Sequence, residues 1–168
     1  MRRALARTLA EGQTKTPESL ILDAGLQKLR PLLEPRGFRF DDVVFGASHG
    51  FGVFCPVVSD SVEIHVTVVD SVGIRSPSYR MRSPWGTAGC GHIPLLEVLG
   101  CTQAHLVPAD SPHGLSYVAA GGGDPFDALV DDLQAWVLPA FDESETDFLS
   151  AIQHARDLHV QRMVSGSG

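Results

Sequence analysis

The sequence predicts an α+β fold: a helix, then an antiparallel β-meander of about four to five strands, a short helix, and two C-terminal helices packed on the sheet. Three observations predict it. Residues 38–70 read as consecutive β-rich runs, RFDDVVFGAS, GFGVFCPVVS and SVEIHVTVVD, separated by short Gly, Ser and Asp breaks. Helical periodicity brackets them, from Pro17 on one side and from Asp124 on the other. The strands are therefore grouped rather than alternating with helices, which disfavours a parallel doubly wound sheet.

Each element follows from local chemistry. Thr16-Pro17-Glu18 is a helix start: a hydroxyl cap, a proline in the first turn and an acid at the positive end of the dipole. Leu20, Ile21, Ala24, Leu29, Leu32 and Leu33 recur at helical spacing, so a helix is expected over about 18–34, with Pro31 able to kink it and Pro35-Arg36-Gly37 ending it. In the third β run Val62, Ile64, Val66 and Val68 fall on one face, with Glu63, His65 and Thr67 on the other, which implies one buried and one more polar sheet face. A fourth strand is expected near Ile74–Met81, a loop over Ser83–Gly91, and a short helix over His92–Gly100. Leu106–Pro108 or Gly114–Ala120 can supply a further strand.

Asp124-Pro125 opens the clearest helix, with an apolar stripe of Phe126, Leu129, Val130, Leu133, Trp136 and Val137. Asp127, Asp131, Asp132 and Gln134 are expected away from that stripe, and Pro139 is expected to stop or bend the helix. A last helix is expected over about 142–161.

At 168 residues the chain suits one domain, here 17–161, with a loosely ordered segment over 1–16 and a disordered tail over 162–168. No apolar run approaches the roughly 18 residues that span a bilayer. The start MRRALARTLAEGQTK lacks the continuous apolar stretch of a secretory signal. Three cysteines, Cys55, Cys90 and Cys101, suit a reducing compartment, so a cytoplasmic address is expected.

Charge is unevenly spread. The net charge is −7, residues 1–39 hold eight Lys/Arg against four acids, and residues 91–168 hold two against eleven. This speaks against nucleic acid, whose binding needs a basic patch. Eight carboxylates and no cation lie between Asp124 and Asp147. Asp124, Asp127 and Asp131 line one helix face, and like charges so spaced cost a few tenths of a kcal/mol per pair. A cost without structural return suggests a use. Asp124, Asp127, Asp131, Asp132, Asp142, Glu143 and Glu145 are therefore the candidate partner-binding residues, facing a basic protein. The plainer account is a solubilising face. As calcium ligands they lack the central Gly and terminal Glu of an EF-hand loop.

Catalytic patterns are sparse. Gly46-Ala47-Ser48-His49-Gly50 fits G-x-S-x-G, but a nucleophile elbow needs strand, turn and then helix. Here a second β run follows, so Ser48 is expected in a hairpin turn. Cys90, His92, Cys101 and His105 form C-x-H-x8-C-x3-H, whose donors suit zinc but whose spacing departs from paired knuckles; no metal or other cofactor is expected. Glu63 beside His65 can raise an imidazole pKa for acid–base work, though a solvent-facing strand explains them as well. A thiol–histidine pair using Cys55 or Cys90 has no supporting context. The seven histidines are scattered.

The run LQKLRPLLEPRGF, Leu26–Phe38, resembles the opening of small bacterial α+β domains, where a helix of form L-x-x-L-x-P-L-L ends in Gly-Phe and delivers a β-meander. Ala135–Phe141, AWVLPAF, is similar to a late helix of that group. Several members accompany toxin systems as immunity proteins, so the resemblance implies binding rather than catalysis. It covers two segments, neither of which carries chemistry. The expected function is a non-enzymatic protein-binding domain, immunity-type or regulatory, with a basic protein partner, which the resemblance implies to be a toxin, and with a homodimer open. The alternative is a small hydrolase or other enzyme using Ser48, His65 or a Cys–His pair.

Overall fold

The computed structural model describes residues 16–46, 52–69, 73–101, 117–118 and 123–166. The chain is α+β, with helices packed on one face of an antiparallel sheet. Helix α1 (Pro17–Leu33) starts as expected: the Thr16 hydroxyl accepts from the Ser19 amide at 3.2 Å, and Pro17 occupies the first turn. Pro31 does not interrupt it, because it falls in the last turn, just before the chain tightens into a 3₁₀ turn at Glu34–Arg36. Gly37 then adopts φ +83°, where a side chain would be strained, and the Phe38 amide reaches back to the Leu33 carbonyl at 3.2 Å. That stop throws Phe38 into the core.

Among the described residues the sheet has five rows. β1 (Arg39–Phe40) and β2 (Val44–Gly46) both pair with β3 (Gly52–Val58), forming one interrupted edge. β3 pairs with β4 (Val62–Val68). Beyond β4 lie β5 (Gly73–Ile74) and β6 (Ser78–Met81), again one row in two pieces. β8 (Tyr117–Val118) pairs with β5, and β7 (Gly89–Gly91) with β6. The segment expected as loop over Ser83–Gly91 thus ends in a strand; two glycines around one cysteine concealed its β character, and tertiary pairing supplied it. The Gly114–Ala120 alternative proves to be the strand at Tyr117–Val118, while Leu106–Pro108 lies outside the described residues.

Register places one set of side chains on one face. Cys55 opposes Val66, Val57 opposes Ile64, Ile64 opposes Tyr79, and Tyr79 opposes Cys90. All are buried, whereas Glu63, His65, Thr67, Ser78 and Arg80 lie on the other, open face. The expected alternation in β4 is therefore seen residue by residue. Fully burying each Val or Ile in this row contributes roughly 2 kcal/mol.

Helix α1 covers β3 and β4, and α3 (Pro125–Asp132) covers β5 and β8. Helix α5 (Glu145–Ser165) covers β6 and β7 and also packs on α2 (His92–Val98). α1 and α3 touch closely at Gly25, where a Cβ would fall 2.2 Å from the buried Phe126 ring. Only glycine allows that approach.

Pro139 does not end the helical region that runs from Pro125 to Glu143. Five residues of π-helix, Leu133–Val137, precede α4 (Leu138–Glu143), so the ladder loosens just where the proline lacks a donor and its ring would strike a carbonyl. The real break is Ser144, whose extended backbone and hydroxyl cap α5 by accepting from the Asp147 amide at 3.2 Å. α5 runs to Ser165, past the expected end near 161, because no breaker precedes Gly166. The segment 1–15 lies outside the described residues, and among those described no helix is long and apolar enough to cross a membrane.

Candidate functional site

The acidic stretch, or ridge, runs through α3, α4 and the start of α5. Its carboxylates divide by fate. Asp124 caps α3, accepting from the Phe126 amide at 2.9 Å, and pairs with Lys28 at 2.7 Å. Asp127 meets the same ammonium at 2.6 Å, clamping α3 to α1. Asp142 takes a forked pair from Arg36, with Nε and Nη2 at 2.7 and 2.5 Å. Hydrogen bonding from that guanidinium holds the Asp142 carboxyl below its ordinary pKa, outweighing partial desolvation. Glu145 accepts from the Ser61 hydroxyl. These four brace the fold as well as charging it.

Asp131, Glu143 and Asp147 are exposed, and among the described residues none has an ion-pair partner. Glu143 and Asp147 rim a notch of about 110 Å³, with Leu99, Ala140, Ser144 and the buried Phe148 lining it. An apolar floor under two carboxylates accommodates the stem and the charged head of a Lys or Arg side chain. Asp147 was not among the candidates from sequence. Its place in the first turn of α5 after the Ser144 cap was the legible signal, because an acid there is favoured by the helix dipole.

Asp132 is a correction. It is only 1% exposed, so no partner surface can meet it. It lies about 60° around the helix from Leu129, at the flank of the apolar stripe rather than opposite it. There it closes a buried chain of hydrogen bonds. The Tyr117 hydroxyl donates to Asp132 Oδ2 at 2.7 Å. The Tyr117 oxygen can then only accept from His92 Nε2, 2.8 Å away, which leaves Nδ1 to accept from the Tyr79 hydroxyl at 2.7 Å. The chain's two tyrosines thus end on one imidazole. Burial pushes the His92 pKa down to about 4, despite the opposing pull of Asp132, and drives both phenols up. A neutral imidazole between two protonated phenols is what this donor order needs. The assembly ties β6, α2, β8 and α3 together, and its residues are at most 1% exposed, so it braces rather than meets substrate.

The catalytic candidates separate in space or are otherwise engaged. Gly46 pairs with Gly52 and Val44 with Phe54, so β2 and β3 are antiparallel neighbours and the described chain resumes at Gly52 as strand. Ser48 and His49 themselves lie outside the described residues. His65 Nε2 bonds to Glu63, and its ring stacks on Phe54 at 5.2 Å, half-buried on the open sheet face. Burial pushes the Cys55 thiol up to about 11 and the Cys90 thiol up to about 12, the opposite of an activated nucleophile. His92 spends both ring nitrogens on tyrosines, so the C-x-H-x8-C-x3-H set loses one donor; His105 lies outside the described residues. Among those described, no cluster of three or more metal-ligating side chains occurs.

Comparison with protein-family models, with curated proteins and with solved structures yields no match to this chain, so its own geometry carries the functional argument.

Proposed function

We propose that this chain is a non-enzymatic protein-binding domain whose α3–α5 ridge receives a basic protein partner, with one Lys or Arg side chain of that partner seated in the notch between Glu143 and Asp147. The supporting observation is that the ridge stays acidic after its internal ion pairs are made. Asp124, Asp127, Asp131, Asp142, Glu143, Glu145 and Asp147 remain at its surface, against Lys28 and Arg36. Such a field steers a cationic partner and speeds encounter, and a cation settled over an apolar floor slows release. An immunity-type role, with a toxin as the basic partner, is the particular form of this reading that the resemblance of Leu26–Phe38 implies.

The test compares the native chain with Glu143→Lys/Asp147→Lys, both exposed side chains whose reversal leaves the core untouched. A basic protein recovered by the native chain should bind the variant about tenfold or more weakly, and native binding should weaken as salt rises. A partner that binds both forms equally, or that ignores salt, overturns the proposal.

A further inference from the structure

The opposite side of α5 presents a different surface. Among the described residues β7 pairs with β6 alone, which leaves its outer side as a strand edge. Its register fixes which groups face outward. The His92 amide bonds to the Pro77 carbonyl at 2.9 Å and the Met81 amide to the Ala88 carbonyl at 2.8 Å, so positions 88, 90 and 92 point toward β6. By the alternation of an antiparallel ladder, the amide and carbonyl of Gly89 and the amide of Gly91 point away from it. The Gly91 carbonyl faces into α2, whose N-cap it is.

Beside this edge lies an open cleft of about 370 Å³, lined by Gly89, Cys90, Gly91, Pro94, Arg156 and His159 among others. Arg156 and His159 stand one turn apart on α5, both exposed, and neither meets an anion among the described residues. The nearby carboxylate Glu97 is taken by Arg162 at 2.8 Å. Across the strand from Gly89, Arg80 adds an exposed cation on the open face. A chain of net charge −7 thus shows two unpaired arginines, Arg156 and Arg80, beside a backbone edge that is open among the described residues.

From this juxtaposition we infer that β7 is a docking edge for an extended acidic peptide, which adds a strand beside Gly89–Gly91 and turns its carboxylates toward Arg156 and His159. Backbone pairing supplies the anchor and the cations select the side chains. The absence of Cβ atoms at positions 89 and 91 lets a partner strand approach closely. A second copy of this chain fits less well, because edge-to-edge pairing about a two-fold axis would oppose Arg156 and His159 to themselves.

The probe is a heptapeptide of alternating Glu and Thr, acetylated and amidated, titrated onto the full chain while amide exchange at Gly89 and Gly91 is followed. Saturable binding that slows exchange at both amides is expected. Arg156→Glu should weaken it about tenfold or more, and replacing each Glu of the peptide by Lys should do the same. N-methylation of alternate peptide amides tests the backbone component without altering the protein, and should abolish binding for one of the two registers. Absence of saturable binding, equal binding of the Lys peptide, or binding that leaves both glycine amides unprotected overturns the inference. So does a dimer that protects those amides without peptide. The ridge variant Glu143→Lys/Asp147→Lys should bind the peptide normally, so this result stands or falls apart from the ridge.

Discussion

Asp131 and Asp132 are neighbours with the same side chain, and the fold sends them in opposite directions. Asp131 stands in solvent on the ridge, without an ion-pair partner among the described residues. Asp132 is buried and accepts from Tyr117 in the Tyr79–His92–Tyr117 hydrogen-bond chain. The difference shows that a run of acids in a sequence is not one feature. A buried carboxylate helps define a unique packing and is costly to remove, whereas an exposed one contributes mainly to the field around the molecule. Asp124, Asp127 and Asp142 fall between these limits, because their ion pairs with Lys28 and Arg36 are solvent-touched and are each worth at most about 1 kcal/mol.

The contrast breaks most sharply at Asp132. Asp132→Ala leaves the buried Tyr117 hydroxyl without its acceptor and should lower stability by about 3 kcal/mol, read as a fall in the urea midpoint. A change below about 0.5 kcal/mol would place Asp132 with the surface acids instead.

The second expected effect is a pH dependence of nearly that size. The folded His92 pKa is about 4, against 6.5 for the free side chain, so between those values the unfolded chain binds the extra proton. The contribution of neutral His92 is complete above pH 6.5 and is lost progressively as pH falls toward 4, up to about 3 kcal/mol in all. Among the described residues Tyr79 and Tyr117 bond to the ring and Asp132 lies beyond Tyr117, and both phenols stay protonated throughout that window. Unfolding midpoints across pH 4–7 should show this slope, and His92→Phe, though less stable at neutral pH, should flatten it. An unchanged slope in that variant would assign the dependence elsewhere.

The smallest effect sharpens the other limb. Asp131→Asn should move stability by no more than about 0.5 kcal/mol in either direction. A loss beyond about 1 kcal/mol in thermal or urea unfolding would show that Asp131 braces the fold too.

Much of the architecture was legible because it rests on local patterns. Thr16-Pro17, the Gly37-Phe38 stop, the period-2 run Val62–Val68 and the Asp124 cap each carry their own physical signal, and each appears where that signal places it. The antiparallel pairing of β2 with β3 was legible for the same reason, since β-formers follow the glycines. What escaped depended on contacts distant in sequence. Gly89–Gly91 becomes a strand only because β6 pairs with it. The buried relay joins residues 79, 92, 117 and 132, which no spacing rule connects, although two tyrosines at strand positions were a hint, because a buried phenol needs a partner. Asp132 was misplaced by treating the apolar stripe as narrower than it is. The notch was invisible, because Leu99 and Phe148 meet only after α5 folds back over α2.

The wide turn at Leu133–Val137 has a further consequence. An extra residue in a regular helix shifts everything after it by about 100° around the axis, and the wide turn takes up that shift, so both halves keep their buried residues on the core side. The first half aims Phe126, Leu129 and Asp132 inward, and the second aims Val137 and Leu138 inward. The same residues wound as a regular spiral would turn Leu138 by about 90° away from the interior, along with the acids that follow, whereas deleting one residue there would restore the spiral with Leu138 still facing inward. A one-residue deletion between 133 and 137 should therefore be tolerated far better than an insertion there.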